Sequence, residues 1–269
     1  MANAVLSALG RGLARFLSQE VKGAARVTTN SGLALRRTIR PGDVLLVEGN
    51  TRLSGAIKYL TQSTWSHAAL HVGGIEGMRE PDGEPHVLVE ALLGKGVIGS
   101  PLSRYAGVHT RICRPVGLSA EDLARVVAFA KSRIGYEYDL RNVIDLARYL
   151  LPQPPVPRRF RRRMLALGSG LPTRVICSTL IAEAFGQVRY PILPMVEELP
   201  DPDDRSAEAR FRREVLHIRH HSLYAPRDFD VSPYFLVVKP TLELGFDYRA
   251  LTWQEAAAEA VAALPEAAQ

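Results

Sequence analysis

Cysteine is scarce in this chain of 269 residues: there are two, Cys113 and Cys177. Two thiols cannot build a disulfide framework or a four-cysteine metal site, and the pattern suits a reducing compartment. Long apolar runs are also missing. None approaches the ~18 residues that a membrane-spanning helix requires. The first residues do not read as an export signal, because the apolar stretch 5–9 is too short for an h-region and Arg11 and Arg15 follow closely. There is no early cysteine for a lipoprotein anchor and no internal repeat. These absences lead to the expectation of a cytoplasmic protein, with peripheral membrane attachment left open and no cofactor expected.

What is present is an ordinary globular composition, 46% hydrophobic and 23% charged, long enough to bury one full core. The net charge of +6 permits an acidic partner, and its uneven placement matters more than its sum. Residues 1–25 pattern as an amphipathic helix: Val5, Leu6, Leu9, Leu13, Phe16, Leu17 and Val21 share one arc, with Arg11, Arg15 and Lys22 opposite. Such a helix suits docking on its own domain or on a second copy, as in a homodimer, and it also suits an anionic membrane surface.

Residues 26–246 read as the main domain. A turn at Pro41-Gly42 leads into an apolar strand at 44–47, then a helix over 53–60. Strands follow at 65–74 (WSHAALHVGG), 86–93 (HVLVEALL) and near 108–114, the last holding Cys113 as a packing residue. Ser119 with Asp122 signals the start of a helix over about 120–133, and a further helix should run from near 136 to 151. Residues 152–173 form a basic insertion with Arg158, Arg159, Arg161, Arg162 and Arg163, a run too costly to bury without anions. Residues 199–222 form a polar insertion, a last strand falls within 231–240, and 247–269 is a helical or disordered tail.

The chemistry gathers around residues 174–185, RVICSTLIAEAF. Cys177, Leu180, Ile181, Ala184 and Phe185 fall on one helical face, which puts Cys177 at or just inside a first turn. Unpaired N–H groups and the positive end of the helix dipole favour a thiolate there, although a small buried core residue would sit equally well. Glu90 lies among Leu88, Val89, Ala91 and Leu92, so it is a carboxylate inside a core strand and needs a partner. His67, heading another strand, is a natural one. A cysteine, a histidine and an orienting carboxylate form a nucleophile–base–orienter set.

The order of GD (42–43), WSH (65–67), VEA (89–91), GYEYD (135–139) and ICST (176–179) resembles the circularly permuted branch of the NlpC-type papain-like superfamily, the YiiX/YebB-like proteins. The histidine precedes the cysteine, as in that branch, and the resemblance covers roughly residues 39–239. It implies an α+β fold, with a small, mainly antiparallel sheet or barrel packed on helices and a cysteine at a helix N-terminus. It also implies Cys177 as nucleophile, His67 as general base, Glu90 as orienter and Tyr138 as an oxyanion donor, with Tyr136 two residues away as the alternative at that place. The implied activity is a cysteine amidase or peptidase working through an acyl-thioester. Related permuted folds, such as the lecithin retinol acyltransferase group, move acyl chains between lipids. With the five arginines facing an anionic membrane, a lipid acyl hydrolase or acyltransferase is the second expectation, and a silent lipid- or partner-binding module the third.

Two other features carry less. His67 and His71 are about 13 Å apart along a strand at roughly 3.3 Å per residue, too far to share a zinc ion, so no metal is expected. His217, His220 and His221 read as a solvated basic face. The arginine run lacks the aromatic interleaving of a nucleic-acid surface, so nucleic acid is not expected as a partner.

Overall fold

The computed structural model describes residues 12, 16–21, 28, 31–136, 176–198, 214–217 and 219–250. Most of the expected N-terminal helix, Tyr138, the arginines Arg158, Arg159, Arg161, Arg162 and Arg163, most of the 199–222 insertion and the tail beyond 250 lie outside these residues.

In chain order the described elements are α1 (Gly32–Thr38), β1 (Val44–Val47), α2 (Arg52–Thr61), β2 (His67–His71), β3 (His86–Leu92) and β4 (Gly96–Pro101). A 3-10 turn (Leu102–Tyr105), β5 (Thr110–Pro115), α3 (Ala120–Ser132) and α4 (Ile176–Gly186) follow. The order closes with β6 (Met195–Glu198), β7 (Glu214–His217), α5 (Pro226–Asp230), β8 (Phe235–Val238) and α6 (Pro240–Glu243). The helices start where short polar side chains cap them. Ser31 accepts from the Ala34 N–H at 3.0 Å, Thr51 from Ser54 at 3.1 Å and Ser119 from Asp122 at 3.0 Å. Helix α2 stops at Gln62, which turns left-handed with φ 52°.

Six strands form one antiparallel sheet in the order β4-β3-β2-β1-β5-β8, and β6 and β7 pair separately. The large sheet stays open, which settles the sheet-or-barrel expectation in favour of a sheet. Both its faces are covered. Val44, Leu46, Ala68, Leu70, Val89 and Ala91 pack with Val126 and Ala130 of α3 and with Leu180, Ile181, Ala184 and Phe185 of α4. On the opposite face Leu45, Val47, Ala69, Leu88 and Ile112 meet Leu35 of α1 together with Leu102 and Tyr105. Burial on both sides is why VLLV in β1 reads as an unbroken apolar run rather than an alternating one. Strand β4 is absent from the sequence reading because GVIGSP, with two glycines and a proline, has neither the alternation nor the β-branched density of a strand.

A buried ion pair locks the start of β1 to the end of β5. Asp43, 1% exposed, accepts from Arg114 Nε at 2.9 Å and Nη2 at 2.8 Å, and from the Arg40 N–H at 2.9 Å. The preceding Gly42 has φ +90° and leaves no room for a side chain, since an added Cβ would lie 2.6 Å from Leu123 Cδ1. Asp43→Ala would strand the guanidinium, and should cost about 3 kcal/mol in urea denaturation. A loss near that of an exposed pair, below about 1 kcal/mol, would contradict this role.

The short described part of the N-terminal region lies against this domain. Leu17 is fully buried, Val21 N–H donates to Asn50 at 2.8 Å, Arg52 N–H donates to Gln19 at 3.1 Å, and Glu20 bridges Thr51. Helix therefore gives way to an extended bridge by Glu20, earlier than the periodicity suggested.

Candidate active site

Cys177 is the second residue of α4 and is 4% exposed, packed with Ile57 and beside Leu53 of α2. Helix α4 is fixed by its apolar face against β2 and β3 and by Ser178, whose hydroxyl donates to the Tyr224 carbonyl at 2.6 Å. Its first turn places Cys177 where backbone N–H groups have no helical acceptors.

His67 opens β2 opposite Val47 of β1. Its approach is rigid: Ser66 N–H donates to Val47 at 3.1 Å, the Gly49 N–H donates to Ser66 Oγ at 2.9 Å, and buried Trp65 donates through Nε1 to Asp230 at 3.0 Å. Glu90 lies in β3, with Val89 paired to Leu70, so its side chain shares the sheet face of His67 and Ala69. It is fully buried, and its Oε2 accepts from His67 Nε2 at 2.6 Å. That bond leaves Nδ1 of the ring unused by Glu90, and Cys177 lies close enough to the imidazole for its charge and hydrogen bonding to raise the ring's affinity for a proton.

Cys177, His67 and Glu90, from three separate elements, therefore form one chain of contacts. Its electrostatics favour charge separation. Burial opposes a charge on His67, but Cys177 and Glu90 outweigh it and hold the imidazolium up to about 10. Burial likewise opposes ionised Glu90, and the hydrogen bond and charge of His67, helped by Ser100 and Tyr105, pull it down to about 2. A set with this polarity can keep a carboxylate ionised, hold an imidazole by one nitrogen and withdraw a thiol proton with the other.

Two neighbours of Glu90 were not expected from the sequence. The Tyr105 hydroxyl donates to Glu90 Oε2, and Arg104 Nε lies 3.6 Å from Oε1. Nothing in the SRY run of the 3-10 turn signals this, because the contact depends on β4 carrying the chain back along β3.

The other candidates fall elsewhere. Cys113 is completely buried in β5, and burial pushes its thiol up, as befits a packing residue. His71 is buried at the far end of β2 and burial holds it down to about 4, so it is neutral at pH 7. Tyr136 is exposed, and its carbonyl accepts from Val97 N–H at 2.9 Å. His221 does not stand on a merely solvated face: its Nε2 lies 3.2 Å from Glu183 of α4, and its ring is 4.0 Å from that of His220. Among the described residues no three His, Cys, Asp or Glu side chains converge as a metal site.

A polar cleft of about 630 Å³ opens just ahead of β2, lined by Glu48, Lys58, Trp65, His109, Arg111 and Asp230 among others. Its carboxylates are both engaged. Glu48 accepts from Lys58 at 3.1 Å and pairs with His109 at 3.0 Å, and Asp230 accepts from Arg111 and Trp65. Despite partial burial, which opposes ionisation, Glu48 is held below the usual carboxylate range by His109 and Lys58.

Residues 38–149 match a family described as permuted papain-like amidase enzymes, YaeF/YiiX, C92. The matched span contains His67, Glu90 and Tyr105 and ends before Cys177. Among solved structures, the chain is similar to the metalloprotein YiiX from Escherichia coli O157:H7, at 17% identity over 74% of this chain and 96% of that one, with a TM-score of 0.42. The matching family is one of amidases, which supports a papain-like cysteine hydrolase acting on amides. With its histidine strand ahead of its cysteine helix, the chain is similar, over the matched residues 38–149, to the permuted papain-like amidases.

Proposed function

We propose that the protein is a cysteine hydrolase that cleaves an amide through an acyl-thioester on Cys177, with His67 as general base and Glu90 as orienter. The observation that carries this reading is the shared contact chain, Glu90 to His67 Nε2 at 2.6 Å and His67 to the Cys177 thiol. His67 Nδ1 takes the thiol proton, and the sulfur attacks the amide carbonyl, whose π electrons move onto oxygen. The oxyanion is met by the Cys177 backbone N–H at the helix start, with Tyr138 as the second donor that the family resemblance suggests. Collapse breaks the C–N bond, and the imidazolium returns its proton to the leaving amine. Water, deprotonated by His67, then attacks the thioester and releases the acid and the thiol. Throughout, Glu90 stays ionised, fixes the ring and stabilises its positive form.

The lipid acyl hydrolase, acyltransferase and binding-module readings differ from the amidase reading in what remains on sulfur. Intact-mass measurement after brief exposure to a panel of peptide anilides and fatty acyl amides and esters, quenched in acid, tests this directly. The expected result is a Cys177 adduct from an anilide or amide, lost in Cys177→Ser. An adduct formed only from fatty acyl esters would shift the reading to lipid chemistry. No adduct from any of them, with the chain folded, would favour a binding module.

A further inference from the structure

The sheet leaves β4 through Ser100 and Pro101 and passes directly into the 3-10 turn, so that turn lies against β3. Two consecutive side chains of the turn divide the Glu90 carboxylate between them. Tyr105, 7% exposed, donates to Oε2, the oxygen that also takes the proton of His67 Nε2. Arg104, on the solvent side, brings Nε to 3.6 Å from Oε1. Oε1 is wholly buried near the Ser100 hydroxyl, which helps to keep Glu90 ionised, and the Arg104 guanidinium is the cation closest to it among the described residues. The Tyr105 and His67 rings lie 6.2 Å apart, tilted at 33°, so the phenol also walls the imidazole.

We infer that the 3-10 turn is a clamp on Glu90, in which Tyr105 and Arg104 are positioning residues that hold the carboxylate ionised and aimed at His67. The inference rests on the cysteine-hydrolase reading of the same site. A carboxylate with no water around it must be stabilised by fixed donors, or it takes a proton and stops orienting the base. Among the described residues, the charged or titratable groups that face Glu90 are His67 from β2, Tyr105 and Arg104 from the turn, and Cys177 of α4 through the imidazole. Strand β4 adds only the Ser100 hydroxyl. Burial and the Glu90 charge push the Tyr105 phenol well above its ordinary value, so it remains a donor over the whole working range.

The test is the pH profile of Cys177 alkylation by limiting iodoacetamide in the full-length chain, for wild type, Tyr105→Phe and Arg104→Gln, each also in a Glu90→Gln background. Tyr105→Phe keeps the ring in the core, and Arg104→Gln changes a side chain that is 39% exposed, so the second variant tests the clamp even if the first folds poorly. The expected result is an acid limb that moves to higher pH by about one unit in each variant, as Glu90 becomes easier to protonate. In the Glu90→Gln background the same changes should move it far less. An activated wild-type Cys177 whose profile neither variant moves would overturn the clamp while leaving the hydrolase reading intact, and so would equal shifts in both backgrounds. A wild-type Cys177 with the profile of an ordinary thiol would overturn both.

Discussion

Cys177→Ala should reduce amide cleavage by about 1,000-fold or more, because no other group described near His67 can form the acyl intermediate. The thiol is small and 4% exposed, so the helix should keep its place and the loss should lie in kcat rather than in folding. The same change should be felt at His67. Two of the influences that raise its imidazolium to about 10 come from Cys177, its charge and its hydrogen bond. With the sulfur removed, the ring should titrate lower, held up by Glu90 alone, and NMR titration of the His67 ring would show it. An alanine variant that retains activity would place the nucleophile elsewhere. An unmoved His67 titration would mean that the two side chains do not interact.

Glu90→Gln should lower kcat by about 100- to 10,000-fold while leaving KM within a few-fold, since it touches the base rather than the substrate. The amide preserves shape but not charge, and one of its ends can present a donor to His67 Nε2, favouring the wrong tautomer. The stability consequence has a definite sign. Glu90 is depressed to about 2 from an ordinary 4.5, so its contribution is present above 4.5 and is lost as pH falls through about 2. His67 is raised to about 10 from 6.5, so its contribution is complete below 6.5 and is lost as pH rises through about 10. The pair should therefore support the fold most fully between 4.5 and 6.5. In Glu90→Gln the fall in Tm on the acid side should be shallower than in wild type. Parallel Tm curves for the two proteins would show that Glu90 is not held in its charged form by folding.

Local pattern was enough to locate most of the elements that carry this site. Strand β2 follows from WSHAALHVGG, and β3 from HVLVEALL; α3 and α4 follow from 3.6-residue apolar stripes, and α3 also from its Ser119 cap. The demand of Glu90 for a partner was legible too, because a carboxylate between leucine, valine and alanine has no other way to stay charged. Which partners it has was legible only in part. His67 was within reach of a strand-pairing argument, whereas Tyr105 and Arg104 reach Glu90 only through β4, whose glycines and proline hide it as a strand. The same holds for His221, which is paired with Glu183 across a tertiary contact that no sequence spacing announces. The open sheet also needed the structure: strand count and pairing order set closure, and a chain read strand by strand contains neither.

The central claim is that His67 activates Cys177, and the most direct measurement compares the alkylation rate of Cys177 at pH 6 in wild type and His67→Ala. Cys113 serves as the internal control, since burial keeps its thiol protonated and it should stay unmodified in both. Wild-type Cys177 should react readily at that pH, where an ordinary thiol with a pKa near 8.5 is almost wholly protonated, and His67→Ala should slow it by about 100-fold. Equal rates in the two proteins, or a wild-type rate no faster than a free model thiol, would contradict the account.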